Sequence, residues 1–284
     1  MNTFRNLHPV TLLLYFSFVT VFSVFNFNPV YLCFSLLGAA LYFASVKGVF
    51  VMLKSMAGYF IMLLAVAALN PLFSHNGATA LFFINDNRVT LEAFCFGAAL
   101  GLAIASALCW FSCIGEVFDS EKLLYLFGRA SPKLAAVISL SLRLVPGIFK
   151  SFKEIHSAQS SFSSNQGRVR RFLSSFSAVI TQSLENSIIT ADSMNARGFA
   201  LKKRTRFSRF RFTAYDAGFS AFFVLLGTFI CVGWFSFEFY PVISIGRLNA
   251  LNIMSVVLFA VMSLTPFAYE VKEGVKWKIS LSKI

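Results

Sequence analysis

Long stretches without a single charged side chain alternate along this chain with one broad basic segment. Residues 6–46 contain no Asp, Glu, Lys or Arg, and these 41 positions suffice for two membrane crossings of about 20 residues each. The break between them is Asn26-Phe27-Asn28-Pro29, a turn sequence that ends one helix and starts the next. Residues 55–85 are also charge-free and hold a third span, closed by Asn70-Pro71. Apolar runs place a fourth span from Glu92 to Ile114, a fifth from Ala217 to Phe237 and a sixth from Leu248 to Tyr269. The N-terminus has one Arg, Arg5, followed by an apolar run too long for a secretory leader and no Ala-x-Ala site, which predicts a span rather than a cleaved peptide.

Between the fourth and fifth spans the periodicity changes. Residues 120–127 open with a serine suited to capping a helix. Pro132 restarts the chain, and the apolar run Leu134–Leu144 is broken by Arg143 and Pro146, which suits a helix lying at the interface or packed on the bundle. Residues 172–195 place Leu173, Phe176, Ile180, Leu184, Ile188 and Ala191 at three- and four-residue steps, one stripe of a helix. Ser157–Gln166, rich in serine, reads as a helix end or loop. The fold class predicted is all-α: a polytopic membrane protein of about six spans, with spans 1–4 in residues 1–114, a helical cytoplasmic domain in 115–214, and spans 5–6 with a basic tail in 215–284.

Composition sharpens this. A hydrophobic fraction of 57%, a charged fraction of 13% and a mean hydropathy of +0.72 stand apart from soluble proteins, where roughly a quarter of residues are charged. Of the 25 Lys and Arg residues, 16 fall between Gly115 and Ala214, against six carboxylates. Basic loops stay on the cytoplasmic side, so this insert, Arg5, Lys47, Lys54 and the tail lysines put 23 cations inside, against Arg88 and Arg247 outside. Both termini are expected in the cytoplasm of a cell-membrane protein. The net charge of +13 does not imply nucleic acid, because much of it sits beside hydrophobic spans and no recognition module is visible.

Catalytic chemistry has little foothold. A phosphate-cradling Gly-rich loop with Lys, a His-Glu-x-x-His pair and a nucleophile elbow are all absent from the sequence. His8, His75 and His156 fall in different regions, and Cys109 and Cys113 share a helix face without further ligands, so no metal or other cofactor is expected. The spans lack buried carboxylates or lysines apart from Glu92 at a helix end, which argues against a proton-coupled transporter. Any ATP must be hydrolysed by another chain.

The most informative motif is Ala191-Asp192-Ser193-Met194-Asn195-Ala196-Arg197-Gly198-Phe199, which ends the long amphipathic helix. Gly198 suits a left-handed position just past the helix, and Arg197 in the last turn complements the helix dipole. A plain charged helix cap explains that much. Equally, Ala196 lets another surface approach closely, and Arg197 offers a planar fork for a carboxylate. Arg197 lies roughly 60° from Met194 on the helical wheel, beside the apolar stripe.

These residues, taken in order, resemble the transmembrane (T) component of energy-coupling-factor transporters, the EcfT/CbiQ family. The resemblance runs through Leu7-His8-Pro9, Asn70-Pro71-Leu72-Phe73, Thr90-Leu91-Glu92-Ala93, Leu142-Arg143-Leu144-Val145-Pro146 and Ala158-Gln159. It ends with Ala196-Arg197-Gly198 and the basic residues Lys202, Lys203, Arg204 and Arg206. It implies a non-catalytic scaffold that bundles with a small substrate-binding membrane subunit, the S component, and two ABC-type ATPases. Coupling helices ending in Ala-Arg-Gly-like motifs would sit in grooves on the ATPases and drive uptake of a vitamin or transition-metal ion. One departure is visible: the family's first motif continues Ala-Gln with two residues and an Arg, whereas here Phe162 stands at the Arg position and Gly167-Arg168 is out of register. The first contact then rests on Phe162 or Arg168, or Ser157–Gln166 is a plain connecting loop. Lys202–Arg206 are assigned to the membrane surface, against anionic lipid. The rival reading is a stand-alone secondary transporter.

Overall fold

A computed structural model describes residues 4–74, 76–84, 87–162, 167–199, 210–233, 237–246 and 249–281. It resolves into two compact units, residues 1–122 with 210–284, and residues 123–209.

In the first unit a 3-10 turn, Phe4–Asn6, leads into α1 (Pro9–Phe25), α2 (Pro29–Lys47) and α3 (Val49–Phe73). An antiparallel hairpin of β1 (Ala80–Ile84) and β2 (Asn87–Thr90) then precedes α4 (Leu91–Val117). After α5 (Ser120–Ala130), which straddles the division between the units, α6 (Pro132–Phe162) and α7 (Arg168–Ala196) make up the second unit. The chain returns to the first unit with α8 (Ala214–Val232), the short hairpin of β3 (Phe237–Glu238) and β4 (Ser244–Ile245), and α9 (Ala250–Leu281). The fold is all-α and polytopic.

Local chemistry explains the helix boundaries. Asn28 caps α2 by accepting the Val30 N–H at 3.1 Å, with Pro29 at the first helical position where no N–H is needed. The expected break at Asn26–Pro29 is therefore present. Between α2 and α3 only Gly48 is non-helical, at φ +89°, a conformation that L side chains rarely adopt. Lys54, expected in a loop, consequently lies inside α3. Asn70-Pro71 also sits within α3 rather than ending it. The sixth span continues as helix through its basic tail as far as Leu281.

Six described helices are long and apolar enough to cross a bilayer: α2, α3, α4, α6 over Lys133–Ser161, α8, and α9 over Ala250–Trp277. The number matches expectation, but the set does not. α1 has 17 residues, at the short limit for about 30 Å of hydrocarbon. α6 qualifies because its helix runs unbroken through Arg143 and Pro146.

Close packing in the first unit depends on small residues. A Cβ at Gly97 of α4 would stand 2.7 Å from Asn70 Cβ on α3, and one at Gly101 would stand 3.0 Å from the Leu63 carbonyl oxygen. This Gly-x-x-x-Gly row lets two backbones approach where lipid supplies no hydrophobic drive for association. Hydroxyl bonds add register. Ser35 Oγ donates to Ser23 Oγ at 2.9 Å, Ser23 meets Ser106 at 2.6 Å, and Trp110 Nε1 donates to Ser35 at 2.9 Å, all in the interior. Around Phe4, 1% exposed, the rings of Tyr15, Phe16, Tyr42 and Tyr269 stand edge-on at 5.4–6.4 Å.

Three of the motifs that carried the family resemblance turn out to be structural knots in this unit. His8 caps α1 through Nδ1, and its backbone N–H donates to Asp216 Oδ1 at 3.0 Å, joining α1 to the Thr213–Asp216 capping box of α8. Asn70 Nδ2 donates to the Ala93 carbonyl at 2.7 Å, while both Glu92 oxygens accept from the Thr79 N–H at 3.2 and 3.3 Å. The Asn70-Pro71 and Thr90–Ala93 motifs thus close one junction at the hairpin end of α3 and α4. At the other end of α4, Asp119 pairs with Arg5, and Lys122 Nζ donates to the Arg5 carbonyl and, at 2.8 Å, to the Val117 carbonyl. Burial holds the Lys122 ammonium down to about 8.

Candidate coupling site

The second unit is built on the pairing of α6 with α7. Gly167 precedes α7, whose 29 residues run from Arg168 to Ala196 without interruption. Its end is a complete Schellman motif: the Phe199 N–H reaches the Met194 carbonyl at 3.0 Å and the Gly198 N–H reaches Asn195 at 2.9 Å. Gly198 takes φ +77°, the left-handed conformation expected of it. Arg197 is the residue between helix and turn, at φ −81° and ψ 7°. It is exposed, and among the described residues no carboxylate pairs with its guanidinium. Ala196 is exposed beside it. These cap bonds run between backbone groups and do not use the Arg197 side chain.

Ala158, Gln159 and Phe162 lie in the last turns of α6, which remains helical where a loop was one expectation. Ser160 and Ser161 hydroxyls donate back to the Ser157 carbonyl at 2.6 and 3.2 Å, so these serines serve the helix they were expected to end. Ala158 is exposed. Gln159 faces α7: its Oε1 accepts from Ser175 Oγ at 2.7 Å and its Nε2 donates to Ser174 Oγ at 3.3 Å. His156 Nδ1 joins the same buried Ser175 hydroxyl at 3.1 Å, and its ring stacks on Phe152, which in turn stands edge-on to Phe172. Sequence reasoning treated His156 as an isolated histidine. The available signal was the spacing of His156 and Gln159 on one helix face opposite the Ser174-Ser175 pair.

Phe162 is the last helical residue of α6, its side chain outside the description, and Arg168 opens α7 with an exposed side chain. Arg168 and Arg197 therefore sit at opposite ends of α7, about 43 Å apart at the rise of an α-helix. The structure keeps the two candidate motifs as separate patches. Lys202, Lys203, Arg204 and Arg206 lie outside the described residues. The predicted apolar stripe does follow one side of α7, yet it is exposed: Leu173 57%, Leu184 62% and Ile188 65%. The buried positions of α7 are instead Ser175 and Val179. Among the described residues no three metal-ligating side chains gather.

Long apolar helices packed through glycine and hydroxyl contacts define a multi-pass membrane protein, here carrying a helix pair with exposed cationic ends. The family model CbiQ, described as cobalt transport protein, matches residues 2–208. The chain belongs to that family, and so to the components of transport systems rather than to the enzymes. No curated protein matches it.

Proposed function

We propose that this chain is the transmembrane scaffold of an energy-coupling-factor importer, linking two ABC ATPases in the cytoplasm to a substrate-binding S component in the membrane. The observation that carries the reading is the Schellman-capped Ala196-Arg197-Gly198 terminus, with an exposed Arg197, in a chain of this family. A second patch at Ala158, Gln159, Phe162 and Arg168, a helix length away, gives the scaffold one contact for each ATPase. The exposed stripe of α7 is an apolar face of the kind that marks protein or membrane contact, and the S component is its occupant in this reading.

Both termini and the second unit lie on the cytoplasmic side in this proposal, as the basic asymmetry of 23 against 2 supports. α6 then rests at the interface, since Lys150, Lys153, Glu154 and His156 crowd its second half. The transported solute is a transition-metal ion, cobalt being the family's description, or a vitamin, and the S component selects it. Purifying the tagged chain from its own membranes and identifying the companions by mass spectrometry tests the whole assignment. Two ABC ATPase subunits and one small membrane protein are expected. Solute uptake by the isolated chain in liposomes, driven by an ion gradient without ATP, would establish the stand-alone transporter instead.

A further inference from the structure

A groove of about 570 Å³ opens on one face of α8, lined among the described residues by Ala214, Tyr215, Gly218, Phe219 and Phe222. Gly218 gives it depth, because a Cβ there would meet nothing within 4 Å. Phe219 forms a fixed floor: its ring stands edge-on to Tyr269 of α9 at 5.7 Å and tilts against Phe223 at 6.0 Å. Tyr215 and Phe222, 65% and 44% exposed, are the walls.

A cation lies just ahead of this apolar trough in the chain. Arg211, three residues ahead of Ala214 and outside the helix, is exposed, and among the described residues it has no carboxylate partner. In the sequence it closes a run of six cations in ten residues, Lys202–Arg211. The nearby carboxylates are already engaged. Asp216 is 5% exposed and accepts from the His8 N–H and from Thr213, and Glu273 of α9 pairs with Lys276 at 3.8 Å. An apolar trough with a cation three residues from its first lining residue matches a molecule that has an anionic head and a hydrocarbon chain.

We propose that this groove binds an anionic phospholipid, with one acyl chain along Gly218 and Phe219 and the phosphate at Arg211. A transmembrane helix fits less well, because the closest helix contacts use small residues, and Tyr215 and Phe222 stand exposed on this face. Tyr215 at the mouth has the amphipathic ring that favours the headgroup level. The physiological source of the lipid, the anionic cytoplasmic leaflet, rests on the orientation proposed above; binding itself does not.

The test uses the full chain, purified in detergent and exchanged into an equimolar mixture of phosphatidylglycerol and phosphatidylcholine, with retained lipid counted by native mass spectrometry. The wild-type chain should retain phosphatidylglycerol in preference to phosphatidylcholine. Gly218→Leu fills the groove with a better helix former. It should lose the retained lipid while unfolding at a temperature no lower than wild type. Arg211→Gln should keep a lipid but lose about fivefold of the preference, the equivalent of ~1 kcal/mol for one cation at a charged surface. Undiminished phosphatidylglycerol retention by Gly218→Leu overturns the proposal. So does a Gly218→Leu chain that keeps its lipid but sheds a co-purifying membrane subunit, which makes the groove a protein-docking face. Failure of the importer assignment would show separately, in the companion proteins, and leaves these measurements intact.

Discussion

Reversing the charge at Arg197 separates a helix cap from a coupling contact, because the structure limits what the cap alone contributes. The bonds that close α7 run between backbone groups, Phe199 to Met194 and Gly198 to Asn195, and the left-handed turn belongs to Gly198. The guanidinium has no carboxylate to lose among the described residues. Arg197→Glu therefore costs the folded chain only the interaction of an exposed charge with the helix C-terminus, about 0.3–1 kcal/mol. If Arg197 instead meets an acidic groove on an ATPase, breaking that pair costs ~2–5 kcal/mol, about 30-fold or more in affinity. The expected phenotype is a chain inserted at normal levels that loses ATPase association and solute uptake. Arg197→Lys should fall between, since an ammonium cannot reproduce the two parallel bonds of the planar fork. The assay is uptake and ATPase co-purification at matched membrane levels. Near-normal uptake by the Glu variant would refute the coupling role and leave Arg197 as a cap.

Three other expectations follow from other parts of the molecule. In a chain without its native thiols, a membrane-impermeant reagent applied to intact cells should label a cysteine placed at Asn87 but not at Ser164 or Ser282; labelling at Ser164 would invert the proposed orientation. Gly97→Leu forces a side chain into Asn70 and Ala67 and should lower stability by at least ~1–3 kcal/mol, the usual range for overpacking. An unchanged unfolding midpoint for that variant would refute the close α3–α4 approach. Lys122 releases its proton near 8 in the folded chain rather than at its ordinary 10.5, so the unfolded chain binds more protons between those values and stability should rise with pH across that window. Lys122→Met should flatten the rise when unfolding midpoints are compared at pH 7 and 9.5, and an identical slope in both chains would contradict the burial of the ammonium.

Features set by neighbours in the chain were readable from residue order, whereas those set by distant partners were not. The Asn26–Pro29 break and the Gly198 turn depend on caps a few residues long, and both stand where the sequence places them. Gly48 escaped notice because a one-residue turn leaves no polar cluster, and Lys47 and Lys54 suggested a longer loop. Asn70-Pro71 looked like a terminator, but Pro71 falls in the last turn of α3 and Asn70 bonds across to α4. Ser160 and Ser161 looked like part of a linker, and their hydroxyls bond back to the Ser157 carbonyl of the helix instead. At the candidate site the cap geometry of Arg197 was legible. The role of Gln159 in binding α7 was not, because its partners Ser174 and Ser175 lie on the next helix.

The bond from the His8 N–H to Asp216 spans 208 positions of sequence. Together with the Ser23–Ser106 hydroxyl pair, it has a consequence for biosynthesis. The first helix emerges from the ribosome long before either partner exists. α1 must therefore wait in the bilayer with its polar groups in provisional company until α4 supplies Ser106, and it is clasped at its start only when α8 follows. Any chaperone or insertase acting on this protein has its window in that interval, and a nascent chain truncated before Asp216 is the substrate on which to find it.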